Sequence, residues 1–194
     1  MNLSRLFLFS LLIPTASFAI SSTPGAYIQG SIGETAIFEL PILSGGTPTT
    51  LSGRLAAGYL WGCDNFNYGV EVGGTYYPDA KDSIENLLDY KVDGYNIDVL
   101  GVLKYNFDSG INLFAKAGAA YVNQKLELSV PYVGLASKTD SRFAPEVAIG
   151  VGYQLNDNFD LNLTVNGVFA GAAGNDNIAT TNGSAMIGVT YRFV

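Results

Sequence analysis

The sequence predicts an all-β chain, folded as an eight-stranded antiparallel up-and-down transmembrane β-barrel. Three observations predict it. Eight segments of about 9–13 residues alternate apolar and polar side chains, the length a tilted membrane strand requires. Short turns alternate with long connections along the chain. Aromatic residues gather at the two ends of the segments, as two membrane–water interfaces would select.

Residues 1–19 read as a secretory signal. Met1–Arg5 carries one positive charge, Leu6–Ile13 is apolar, and Ser17-Phe18-Ala19 places small residues at the −3 and −1 positions of a cleavage site. The barrel domain is then expected over residues 20–194. Beyond the leader, no apolar run is long enough for a helical span, so a membrane chain of this composition must close as a barrel.

The segments follow in order. The first, Ala26–Gly33, alternates too weakly for its outer face to be assigned, and a polar connection runs from Glu34 to Thr50. The second, Leu51–Trp61, sets Leu55, Ala57, Tyr59 and Trp61 against Arg54, Ala56 and Gly58. A turn at Cys63-Asp64-Asn65 leads to the third, where Phe66, Tyr68, Val70, Val72 and Tyr76 oppose Glu71, Gly73 and Thr75. Pro78–Asp93 reads as a long acidic connection.

The fourth is the clearest: Tyr95, Ile97, Val99, Gly101, Leu103, Tyr105 and Phe107 share a face, opposite Asn96, Asp98, Lys104 and Asn106. Asp108-Ser109-Gly110 is a turn signal. The fifth sets Ile111, Leu113, Ala115, Ala117, Ala119 and Tyr121 against Asn112 and Lys116, and Leu128–Ser141 reads as a connection containing Pro131. The sixth sets Phe143, Val147, Ile149, Val151 and Tyr153 against Arg142, Glu146 and Gln154. After Asn156-Asp157-Asn158, the seventh sets Phe159, Leu161, Leu163, Val165 and Phe169 against Asp160, Asn162, Thr164 and Asn166. Gly171–Asn182 is a small-residue loop. The eighth sets Ile187, Val189, Tyr191 and Phe193 against Met186, Gly188, Thr190 and Arg192.

Composition narrows the function. Hydrophobic residues make up 48% of the 194 and charged residues only 14%, little for a soluble domain. The formal net charge of −7 argues against nucleic acid and against binding anionic lipid by bulk charge. A single cysteine, Cys63, permits no internal disulfide, and with no histidine a Ser-His-Asp triad or a histidine zinc site is out of reach. No catalytic residue, metal site or cofactor is expected. Alternation alone leaves one competitor, a soluble barrel with its apolar face inward.

The end of the chain, Gly188-x-x-Tyr191-x-Phe193, resembles the carboxy-terminal insertion signal of outer-membrane β-barrel proteins. Arg142–Tyr153 together with Gly188–Phe193 resembles the closing half of the OmpA-type eight-stranded membrane domain. That resemblance implies a bacterial outer-membrane location and assembly by the barrel-insertion machinery. It also implies contact with outer-membrane lipids and lipopolysaccharide, and a monomeric state. Full-length OmpA proteins continue into a peptidoglycan-binding domain. This chain ends at Val194, so no such tether is expected. The small surface-antigen relatives, OmpX, Ail and the opacity-type barrels, imply envelope integrity, adhesion or host-surface contact through the long loops. The barrel-sized lipid A deacylases and palmitoyltransferases use a histidine, so no enzyme is expected. The alternative function is a small porin, or a conduit for small or hydrophobic molecules.

The polar face supplies the candidate site: Arg54, Glu71, Asp98, Lys104, Lys116, Glu146 and Arg192. An eight-stranded barrel is just wide enough for side chains to fill it, so charges inside must pair. Counted from the short turns, Glu71, Lys104 and Lys116 lie low, and Arg54, Asp98 and Glu146 lie higher. Two interlocked ion-pair layers are expected, with Glu71 facing Lys116 or Lys104.

Overall fold

The structure, a computed structural model, describes residues 24–37, 49–63, 65–84, 88–130, 134–170 and 181–193. The leader expected over residues 1–19 and most of the expected long loops lie outside the described residues.

Among the described residues the strands are β1 (Gly25–Ile37), β2 (Thr49–Cys63), β3 (Phe66–Ile84), β4 (Leu88–Asn106), β5 (Ile111–Val130), β6 (Gly134–Gln154), β7 (Phe159–Val168) and β8 (Asn182–Arg192). Each pairs antiparallel with its sequence neighbour. The sheet closes where β1 meets β8, from Tyr27 opposite Arg192 to Ile37 opposite Asn182. Closure leaves no sheet edge in the membrane, and every strand finds its backbone partners inside the wall.

Three tight turns define one end. Gly110 closes the second at φ 82°, a left-handed conformation that glycine adopts without strain, and its N–H donates to the Phe107 carbonyl at 3.1 Å. In the third, the Asn156 side-chain oxygen accepts the N–H groups of Asn158 and Phe159, each at 2.9 Å, an Asx turn.

The two sides of the wall are opposite in chemistry. Ile32, Leu55, Val72, Val99, Ile149 and Leu163 are exposed on the outside, whereas Glu71, Asp98, Glu146 and Asp160 are buried within. This is the inverse of a soluble barrel. A continuous apolar outer band is stable only against hydrocarbon. In β1, Tyr27, Gln29, Ser31 and Thr35 face inward and Ile28 and Ile32 outward, which settles the face that weak alternation left open.

Cross-strand register builds the aromatic girdles. Near the turns, Trp61 lies opposite Tyr68 with ring centroids 6.2 Å apart, and Tyr191 lies 5.0 Å from both Phe159 and Phe193. Toward the loops, Tyr76 pairs with Tyr95. Tyr121 pairs with Phe143, their rings edge-on at 5.4 Å.

The stretches read as connections at Pro78–Asp93 and Leu128–Ser141 are mostly strand. Pairing of β3 with β4 continues from Ala80 opposite Val92 to Ile84 opposite Leu88, past an irregularity between Tyr77 and Ala80. Pairing of β5 with β6 continues to Val130 opposite Gly134. Acidic and polar residues there weaken the apolar alternation, because a hairpin standing above the lipid needs no apolar face. The ladder of backbone hydrogen bonds continues without it.

Val99→Arg, Val151→Arg and Leu163→Arg each place a charge on the lipid side of mid-wall. Each should lower stability by about 2–4 kcal/mol in urea titrations of the liposome-inserted barrel. Asp108→Arg, in a short turn, should leave the midpoint almost unmoved.

Candidate functional site in the barrel lumen

The inward positions of β2, β3 and β4 carry Arg54, Glu71 and Asp98, all buried. The Arg54 guanidinium grips Asp98 with two nitrogens, Nη1 at 2.5 Å and Nη2 at 2.7 Å. Its Nη2 also donates to Glu71 Oε1 at 3.0 Å, and Nη1 lies 4.0 Å from Glu146 Oε1. The planar fork of arginine suits such two-point contact with a carboxylate.

Glu71 is held from the other side as well. Lys116 Nζ lies 2.6 Å from Glu71 Oε2, and the Tyr27 hydroxyl donates to the same oxygen at 2.7 Å. Lys116 also donates to Gln29 Oε1 at 3.1 Å. Glu146 accepts from the Asn96 and Asn166 amides, both at 3.3 Å. Arg54, Glu71, Asp98, Lys116 and Glu146 thus form one cluster across five strands.

Small residues make room for it. A Cβ at Gly73 would stand 2.5 Å from Arg54 Nη2, and one at Gly58 would stand 2.6 Å from the Tyr27 hydroxyl. The two glycines allow the arginine and the tyrosine to lie flat against the wall.

A second cluster lies toward the turns. Asp160 of β7 receives Lys104 Nζ at 2.7 Å and Arg192 Nη2 at 3.1 Å. The partition therefore differs from the expected one. Glu71 and Lys116 join the higher residues, and Lys104 pairs with Asp160 rather than Glu71. Height along the strand is shared by residues around the whole circumference, and only closure decides which of them meet across the lumen. Asp160 was absent from the candidate set, although the alternation of its strand already placed it on the inner face.

Arg142 lies outside both clusters. It pairs with Asp140 at 2.8 Å and donates to the Ala170 carbonyl at 2.7 Å. Of the terminal motif, Gly188 is buried on the lumen side, while Tyr191 and Phe193 belong to the lower girdle.

The profile of the family described as outer membrane protein beta-barrel domain matches residues 6–193. An uncharacterized protein of Coxiella burnetii (strain RSA 493 / Nine Mile phase I) is 26% identical over 172 residues, covering 73% of this chain and 68% of that protein. The crystal structure of Neisserial surface protein A, NspA, is similar with a TM-score of 0.62 at 19% identity, over 87% of this chain and 97% of NspA. Ail, the attachment invasion locus protein of Yersinia pestis, was solved in complex with the heparin analogue sucrose octasulfate. It is similar with a TM-score of 0.58 at 17% identity, over 88% of this chain and 99% of Ail. The outer membrane enzyme PagL shares the fold at a TM-score of 0.52 and 16% identity, over 86% of this chain and 99% of PagL. At these identities the solved structures establish the shared fold alone.

Double-mutant cycles test the partition. Glu71→Gln with Lys116→Met, and Lys104→Met with Asp160→Asn, should each show coupling of about 0.5–3 kcal/mol in liposome urea titrations. Glu71→Gln with Lys104→Met should be close to additive.

Proposed function

This chain belongs to the outer membrane protein beta-barrel domain family, and we propose that it serves the bacterial outer membrane as a rigid, non-enzymatic structural barrel. In this reading its long loops meet host or neighbouring surface molecules. One observation carries the reading. The lumen is crossed by the Arg54–Asp98, Arg54–Glu71 and Lys116–Glu71 pairs. Among the described residues, two lumen cavities bordered by Lys116 have volumes of about 30 and 10 Å³, room for only a few waters. A bore of that kind passes nothing larger than water or a small ion without breaking buried ion pairs.

Exposed chemistry is left to the loop side, where β3 to β6 carry their hairpins beyond the apolar belt. Loops on a rigid scaffold are the usual seat of recognition. The surface role of Ail, by its printed name an attachment protein, supports the same assignment by analogy of fold. The insertion machinery would read Gly188, Tyr191 and Phe193, and lipopolysaccharide would face the upper girdle.

Purified protein in planar bilayers should give no reproducible single-channel steps. Steps that persist and change with Arg54→Met would replace the structural reading with a small porin. Loop deletions should abolish binding to host cells while leaving the barrel folded. Changed lipid A mass spectra on expression would instead point to an enzyme.

Topology is tested by tags placed within 43–49, 80–86 and 171–177. They should be detected on intact cells. Detection only after permeabilisation would reverse the orientation.

A further inference from the structure

Between the two ion-pair clusters, among the described residues, lies a lumen cavity of about 30 Å³ bordered by Lys104, Lys116, Asp160 and Arg192. Its charges do not balance. Lys104 and Arg192 share one carboxylate, Asp160, and the third cation, Lys116, is already engaged by Glu71. The surplus is compensated elsewhere. Among the described residues, Arg54 and Lys116 in the other cluster face the three carboxylates Glu71, Asp98 and Glu146. The lumen is thus polarised along its axis, with a net positive cavity toward the short turns.

Donors are also in excess there. Arg192 is 6% exposed, and its Nε has no hydrogen-bond partner. The Lys104 ammonium carries three N–H groups, and its recorded bond to Asp160 uses one of them. Two acceptors there are already engaged, since Asp160 takes both cations and Gln29 Oε1 takes Lys116. Asn162 and Thr190, joined by an amide-to-hydroxyl bond of 2.7 Å, complete the polar lining. Leu60, Val102 and Phe114 complete the wall and keep the local dielectric low. An uncompensated buried cation is costly, and a monovalent anion removes that cost while satisfying the spare donors.

We propose that this cavity is a binding site for one small monovalent anion of the halide class, coordinated by Lys104 Nζ and Arg192 Nε. Its volume admits a body about the size of one or two waters, so multi-atom anions such as gluconate do not fit. The ion would lock the turn-side end of the lumen, apart from any loop partner.

Crystals of the full barrel grown in sodium bromide test the site directly. An anomalous peak in the cavity, within contact of Lys104 and Arg192, is expected. Bromide found only at the protein surface, or no bromide at all, overturns the proposal and makes the cavity a water site. In parallel, the urea midpoint of the liposome-inserted barrel should rise and saturate as chloride replaces gluconate at constant ionic strength. Lys104→Met removes the surplus charge but leaves Asp160 paired with Arg192, so the barrel should fold and lose this chloride dependence. Arg192→Lys keeps the charge and removes Nε. It should raise the half-saturating chloride concentration by about tenfold or more, as expected for one lost charge-assisted hydrogen bond. Equal midpoints in chloride and gluconate for the parent protein would refute the site.

Discussion

Hydrocarbon offers no hydrogen bonds, and the rest of this structure follows from that. A strand that enters it must find partners for every backbone N–H and C=O within the protein. The chain meets the demand by joining β1 to β8, and closure forces a division into outside and inside. Outside, side chains must match acyl chains, as Ile32, Leu55 and Ile149 do. Inside, an eight-stranded barrel is just wide enough for side chains to fill it, and here buried side chains reach across it.

The lumen carries two clusters of paired charge among its buried apolar side chains, and this fixes the character of the barrel. A buried carboxylate without a cation would cost several kcal/mol, so the cluster stands as a unit. Arg54 is its centre, since it alone touches Asp98 and Glu71 while approaching Glu146. Gly73 and Gly58 show how closely the wall is fitted to this arrangement, each leaving the space its side chain would take. Ion pairs of this kind add little net stability over a well-packed apolar core. Their effect is specificity, because one register brings the partners together and a slipped register separates them.

The fold itself is neutral about function. Surface protein NspA and the enzyme PagL share it with this chain, so activity must be sought in particular side chains. Here the charged side chains of the larger cluster pair with one another, which is the ground for the proposed scaffold role. The exception is the turn-side cavity, where Lys104 and Arg192 outnumber Asp160.

Much of this was legible in the sequence, for a local reason. Side chains on a strand alternate with period two, so each segment declares its own inner and outer face. Tyr95 to Phe107 against Asn96, Asp98, Lys104 and Asn106 needed no tertiary information, and Asp108-Ser109-Gly110 announced its turn. Where both faces were polar or weakly apolar, the signal failed. The face of Ala26–Gly33 was ambiguous, and the upper hairpins of β3–β4 and β5–β6 read as loops. The tertiary structure alone decided what meets across the lumen. Lys104 lies 56 residues from Asp160, and Arg54 lies 44 from Asp98. Alternation fixes which side a residue faces and how high it sits, but carries no information about the opposite wall. That information enters only when the stagger of eight paired strands closes the sheet into a cylinder.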